Sequence, residues 1–260
     1  MPFKFLFMKN RLVKTTAILS FTLLLLALIV FNCKRSTSPI KIPQGELEEW
    51  KTPKANREAE EAALWLSDSL VAPEYLYNKI LYHLSVIREK YGEEIPQVHI
   101  TFTPPWVPSC LIIEVTEEAK EQILAGEYHD LDSLNSALRY KGGDITSVWL
   151  GNFIILSFEG RLHPERLAEL YMKVPSIVSA GPNYFIGDWS NVYPWFTDDG
   201  LSYLFREAWG DCPSGCIYSC YWYFKATISG VNSIGAWCPP GPEPEWWEEA
   251  KLALFQYRMP

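Results

Sequence analysis

The sequence predicts an α+β fold in three parts: an N-terminal helical pair, a ferredoxin-like β-α-β-β-α-β domain and a C-terminal antiparallel β-meander that contains disulfides. Three observations predict it. Apolar residues recur at helical spacing between Asn56 and Tyr91. Short apolar runs alternate with helical runs from Leu111 to Ala180. Beyond Gly187, apolar and polar residues alternate with a period of two, and four cysteines fall within 27 residues. Aromatic residues make up 15% of the chain and include 11 Trp, which is enough apolar volume to fill more than one small core.

The elements follow in order. Residues 34–55 are rich in Lys, Ser, Thr and Pro and lack apolar periodicity, so they read as a tether. Residues 56–97 form the helical pair. Asn56 caps a first helix carrying Ala59, Ala62, Ala63, Leu66 and Leu70, and Pro73 opens a second with Leu76, Ile80, Leu84 and Ile87 on one stripe. Residues 98–188 form the next domain, entered through a rigid connector, Thr103-Pro104-Pro105-Trp106-Val107-Pro108. There we expect a strand over 111–115, a helix over 117–125 closed by Gly126, a helical piece over 131–139, and strands over 145–150 and 153–158 joined at Gly151-Asn152. A helix over 164–172 and a strand over 177–180 complete it, giving the split βαβ order. Residues 189–260 hold three or four strands, with runs over 201–209, 217–228 and 231–237, and a C-terminal helix within 242–257.

The first 33 residues bear on location. Lys4, Lys9, Arg11 and Lys14 precede an apolar run from Thr15 to Phe31, and Cys33 follows closely. A basic segment before an uninterrupted apolar segment is an export signal. A cysteine at its end resembles the bacterial lipoprotein signal, which implies acylation of Cys33 and a lipid-anchored protein in the cell envelope. Val30, Phe31 and Asn32 depart from the usual residues before that cysteine. An uncleaved membrane anchor and a simple cleaved signal are the alternatives, and all three place residues 34–260 outside the cytoplasm. Removing the first 33 residues takes away those four positive charges and no acid, which moves the formal charge from -8 to -12. That balance argues against a nucleic-acid partner, whose phosphates require Lys and Arg.

Export makes the cysteine cluster a disulfide framework first. Cys212 and Cys216 can close a small loop, and Cys220 and Cys238 lie across the turn at Ser229-Gly230, which leaves Cys110 free. The competing reading is a zinc site built from the same four cysteines. The run Gly210-Asp211-Cys212-Pro213-Ser214-Gly215-Cys216 resembles a Gly-Asp-Cys-Pro-x-Gly-Cys signature of uncharacterised secreted bacterial lipoproteins, usually followed by an aromatic strand, here Tyr221-Trp222-Tyr223-Phe224. Residues 111–186 resemble the prodomains of subtilisin-type peptidases and the related peptidase inhibitors. The likeness rests on Leu134-Asn135, Leu167 to Tyr171 and the run Val174 to Asn183, in which Gly181 replaces the usual Glu. It implies an inhibitor or folding helper acting on a separate peptidase, because the catalytic motifs of that enzyme are absent here.

No nucleophile, base and oxyanion donor can be assembled from the sequence, so we expect no catalytic residue, no metal and no cofactor. The four histidines stand apart from metal-binding spacings, and Glu93-Glu94, Asp198-Asp199 and Glu248-Glu249 read as solvated charge, Asp198-Asp199-Gly200 as a hairpin turn. Asp211 is expected to bond its own loop backbone. Trp195, Tyr203, Tyr221, Trp222 and Tyr223 are the candidate binding surface, an aromatic sheet face on which a sugar, or a peptide or protein partner, would stack. The leading function is therefore a membrane-anchored extracytoplasmic binding or interaction protein. The alternatives are the peptidase inhibitor and, last, a zinc-dependent hydrolase using the cysteine cluster.

Overall fold

A computed structural model describes residues 54–138, 140–144 and 152–258. The Asn56 side chain accepts from the Ala59 N–H at 2.9 Å and starts α1, Arg57–Trp65. This helix ends earlier than its apolar spacing suggests. The Ser67 N–H and hydroxyl both turn back to the Leu64 carbonyl, the local competition that Ser offers a helix. Pro73 caps α2, Glu74–Tyr91, which buries Leu76, Ile80, Leu84 and Ile87 as its stripe requires. A 3₁₀ turn, Pro96–His99, follows.

The second region is a four-stranded antiparallel sheet in the order β2-β3-β1-β4. Its elements are β1 (Trp106–Val115), α3 (Glu117–Ala125), α4 (Asp132–Ala137), β2 (Tyr140–Asp144), β3 (Phe153–Phe158), α5 (Pro164–Tyr171) and β4 (Ile177–Tyr184). This is the ferredoxin-like arrangement, with each helix returning the chain across one strand. The Thr116 hydroxyl caps α3, and Gly126 closes it at φ +73°, where a Cβ would be strained. Leu111, Ile113, Leu156, Phe158, Leu167 and Tyr171 fill the core between sheet and helices.

Two strands are longer than expected. β1 begins inside the proline connector, at Trp106, and β4 continues to Tyr184, because these ends pair with one another. The strand expected over 145–150 and the turn residue Gly151 lie outside the described residues. Within them, Tyr140–Asp144 pairs with β3. Its Lys-Gly-Gly core has no apolar alternation to announce a strand.

The third region is the meander, β5-β6-β7-β8 in chain order: β5 (Asn191–Thr197), β6 (Gly200–Trp209), β7 (Tyr218–Thr227) and β8 (Gly230–Trp237). Pro194 sits inside β5, which is an edge strand and can lack a donor. Asp198 and Asp199 form the expected turn, and a Cβ on Gly200 would lie 2.1 Å from the Ala226 carbonyl oxygen, so only glycine fits where β6 starts. The last helix is α6, Trp247–Arg258.

Both faces of the meander are covered. On one side stands the helical pair: His83 Nδ1 meets the Tyr203 hydroxyl at 3.0 Å, and Tyr91 packs on Phe224 with ring centroids 5.2 Å apart. On the other stands α6 and the residue before it. Trp247 packs on Tyr221 at 4.7 Å, Trp246 on Tyr223 at 5.4 Å and Tyr257 on Tyr193 at 5.0 Å. The helical pair and the meander thus share one core. Buried charge ties the layers together. Arg88 grips Glu58 through two bonds of 2.8 Å, and Glu58 also accepts the Phe102 N–H. Arg161 pairs with Glu60, and the His163 N–H donates to the Leu70 carbonyl, which docks the ferredoxin-like body on the α1–α2 connection.

Candidate functional site

His83 and His163 are each 6% exposed. Burial, reinforced by Lys79 for His83 and by Arg166 for His163, pushes each imidazole down to about 4, so both are neutral at pH 7. His163 stacks obliquely on Trp106, with centroids 5.4 Å apart, and neither its Nδ1 nor the Trp106 Nε1 has a partner. His129 pairs with Asp132 on an exposed surface. Glu93, Glu94, Asp198 and Asp199 are exposed. Among the described residues, no group of three His, Cys, Asp or Glu side chains could hold a metal ion.

Disulfides join Cys212 to Cys216 and Cys220 to Cys238, and Cys110 is free and buried. The four clustered sulfurs are bonded to one another, so none is available as a thiolate ligand, and the zinc reading loses its donor set. Cys33 lies outside the described residues. Among those residues no helix is long and apolar enough to cross a membrane.

The aromatic binding surface expected from sequence needs correction. Trp195, Tyr203, Tyr221 and Tyr223 are buried, Tyr223 completely, and Trp222 is half-buried. Their alternation on two faces was legible, but each face has its own cover: α2 over Tyr203, Phe224 and Phe205, and Trp246 and Trp247 over Tyr223 and Tyr221. The residues fill a core rather than present a surface.

A cleft lies elsewhere, where β4 leaves the first sheet and the chain enters the second. It is about 410 Å³ and its aromatic lining comes from Tyr184, Phe185, Trp189, Tyr193 and Tyr257. Pro105 and Pro213 add apolar wall, and Gly187, Asp188, Ser214 and Gly215 complete it. That volume falls within the range of small-molecule and peptide-side-chain sites.

One ion pair builds this cleft. Arg206 projects from β6 and is 2% exposed. Its Nη1 and Nη2 donate to Asp188 Oδ1 and Oδ2 at 2.5 and 2.7 Å, its Nε to Ser219 Oγ at 2.9 Å and its Nη1 to the Trp189 carbonyl at 3.3 Å. Burial alone would lower the Arg206 pKa. The hydrogen bonds to Asp188 and Tyr193 outweigh it and hold the guanidinium above its usual range. Asp188 in turn fastens the disulfide loop: its N–H donates to the Cys212 carbonyl at 2.9 Å, and Oδ2 accepts the Cys216 N–H at 3.3 Å. The loop carboxylate role expected of Asp211 thus belongs to Asp188, while Asp211 is exposed and offers its backbone carbonyl to the Ser214 N–H. Behind Tyr257, the buried Asn191 side chain exchanges two hydrogen bonds with the Thr103 backbone, at 2.8 and 2.9 Å, and the Tyr257 hydroxyl donates to the same Thr103 carbonyl.

Sequence reasoning missed Tyr184, Phe185, Asp188, Trp189 and Arg206 as a group. The one available signal was Arg206, a charge that directly follows the mainly apolar run Leu201–Phe205. No family model, no curated protein and no solved structure matches this chain.

Proposed function

We propose that this chain is a membrane-anchored extracytoplasmic binding protein without catalytic activity, tethered through Cys33 and residues 34–55, with the cleft beside Trp189 as its ligand site. The observation that carries the reading is the cleft's construction. Exposed aromatic side chains, Tyr184 and Phe185, stand on a wall held rigid by a disulfide and a buried ion pair. A wall fixed before the ligand arrives lowers the ordering cost of binding. Among the described residues the one carboxylate in the lining, Asp188, is already engaged by Arg206, which suits recognition rather than acid–base chemistry. The anchor is supported by the basic segment, the apolar run and Cys33, and it puts the cleft among envelope components.

The test places a photoreactive phenylalanine analogue at position 185 in the full chain and, as control, at position 75, where Tyr75 is 71% exposed on α2. Position 185 should capture an envelope component that position 75 does not. Identical capture patterns would sink the cleft as the ligand site. The anchor is tested separately by labelled fatty acid, which should enter the wild type and not Cys33→Ala.

One observation favours a second reading, the prodomain-like inhibitor of a subtilisin-type peptidase. β4 runs extended to Tyr184 and is followed by Phe185 and Ile186, which are 43% and 96% exposed. An inhibitor of this kind needs an exposed, extended segment at that place. The purified ectodomain should then slow such a peptidase at micromolar concentration before being cut. Simple substrate behaviour would remove this reading.

A further inference from the structure

We infer that the cleft takes an extended proline-rich peptide segment flanked by basic residues; the inference rests on the cleft being the ligand site. Its chemistry selects by elimination and by match. Among the described residues the lining holds no free cation, since Arg206 lies behind it, 2% exposed and saturated by Asp188, so a phosphate or carboxylate finds no counter-charge there. A carbohydrate is gripped by planar polar side chains that bridge adjacent hydroxyls. The one such side chain in the lining, Asp188, has both oxygens occupied.

What the cleft does offer is aromatic and proline surface with unspent donors. The Trp189 indole N–H, the Tyr184 hydroxyl and the Ser214 hydroxyl line it and have no hydrogen-bond partner among the described residues. Polyproline II is the complement of such a wall. Its backbone carbonyls are unpaired, its prolines bring no N–H that needs an acceptor, and its rings stack on aromatic side chains. The preformed helix also spends little entropy on binding, as the locked wall does. Charge sets the flanks. Asp211 is exposed beside the loop, Glu165 is near enough to raise the Tyr184 phenol together with its burial, and the whole chain carries -8. A basic segment is drawn to this surface and an acidic one is repelled.

The test uses the full chain in detergent and fluorescence anisotropy of four labelled probes: a Lys-flanked proline-rich peptide, the same peptide with Gly for Pro, the same with Glu for Lys, and an oligomer of N-acetylglucosamine. The first should bind saturably. The glycine peptide should bind about tenfold more weakly, because it lacks the preformed helix and ring contacts. The Glu-flanked peptide should bind more weakly at low salt, with the gap closing as salt rises. Tyr184→Phe keeps the ring and removes only the donor, and Trp189→Phe removes the donor together with part of the ring; each should lower affinity by roughly 2- to 10-fold with unchanged thermal stability. Equal binding of the proline and glycine peptides, binding of the oligosaccharide alone, or unaltered affinity of both variants would overturn the inference. Should the position-185 crosslinker capture an envelope component while no proline peptide binds, the cleft stands as the ligand site and the proline class falls. Should both fail, both fall.

Discussion

Acid should destabilise this protein through His163, and the effect can be isolated with one substitution. The imidazole is 6% exposed and packed against Trp106; burial is the largest influence on it, the Arg166 charge adds to it, and the carboxylates of Asp68 and Glu169 are too weak to offset them. Its folded pKa is pushed down to about 4, against about 6.5 in the unfolded chain. A lowered folded pKa means that, below pH 6.5, the unfolded state binds a proton that the folded state refuses. Stability is therefore whole above pH 6.5 and falls as pH drops towards 4. At pH 5 the loss from this one group is about 2 kcal/mol. His83, 6% exposed and also near 4, contributes a similar loss in the same window. Glu61 works in the opposite direction, because burial raises its pKa and the folded state gains from its protonation as pH falls. His163→Phe is the clean perturbation. Nδ1 has no partner, so no hydrogen bond is lost, and the ring still fills the space beside Trp106. Urea unfolding at pH 7.5, 6.5, 5.5 and 5.0 should show the variant as stable as wild type or more so at pH 7.5, with a lead that grows by about 2 kcal/mol at pH 5. Parallel pH profiles for the two proteins would refute the burial argument and the pKa assigned to His163.

Three further outcomes follow from the same structure. Asp188→Ala leaves the Arg206 cation buried without its partner; unfolding should show a loss of about 3–5 kcal/mol, and a change under 1 kcal/mol would mean the pair is solvated. Glu58→Gln should cost less than Glu58→Ala, because the amide oxygen can still accept from Arg88 and the Phe102 N–H, and reversal of that order would contradict the buried network. Replacing Cys220 and Cys238 by Ser should lower stability by about 3 kcal/mol, against about 2 for Cys212 and Cys216, since the larger loop constrains the unfolded chain more; in peptide-binding assays the order should invert, because only the smaller loop walls the cleft.

The elements were legible where local signals agreed. Asn56, Thr116, Gly126 and Pro164 mark helix ends by chemistry that acts within four residues, and the structure uses each of them. The runs over 201–209 and 231–237 likewise form β6 and β8, although β6 is buried at six consecutive positions because both its faces are covered. β2 was missed for the converse reason: Tyr-Lys-Gly-Gly-Asp has no pattern of its own, and its strand geometry is imposed by pairing with β3. The ends of β1 and β4 were missed in the same way. Trp106 and Tyr184 are 78 positions apart, and each is extended because the other is.

The cleft lies wholly in that second category, which explains why the aromatic reading went to the wrong residues. Aromatic density in Tyr221-Trp222-Tyr223-Phe224 is a local feature, and a strand with large side chains on both faces can either expose one face or be covered twice. Nothing within the strand decides between these. The decision comes from distant segments: α2, which precedes β7 by more than a hundred residues, and Trp246-Trp247, which follow it. With both covers in place, a group of aromatic residues at the seam between the two sheets stays at least partly open to solvent. Tyr184, Phe185 and Trp189 occupy that seam. An uncovered seam would have no reason to hold one shape. Here Arg206 and Asp188, 18 residues apart, clamp it from behind, and the Cys212–Cys216 bond stiffens the loop they hold. A charge buried in an apolar strand costs stability unless its partner is fixed. Its position behind an aromatic cleft is therefore the strongest sign that the shape of this seam matters to what the protein does.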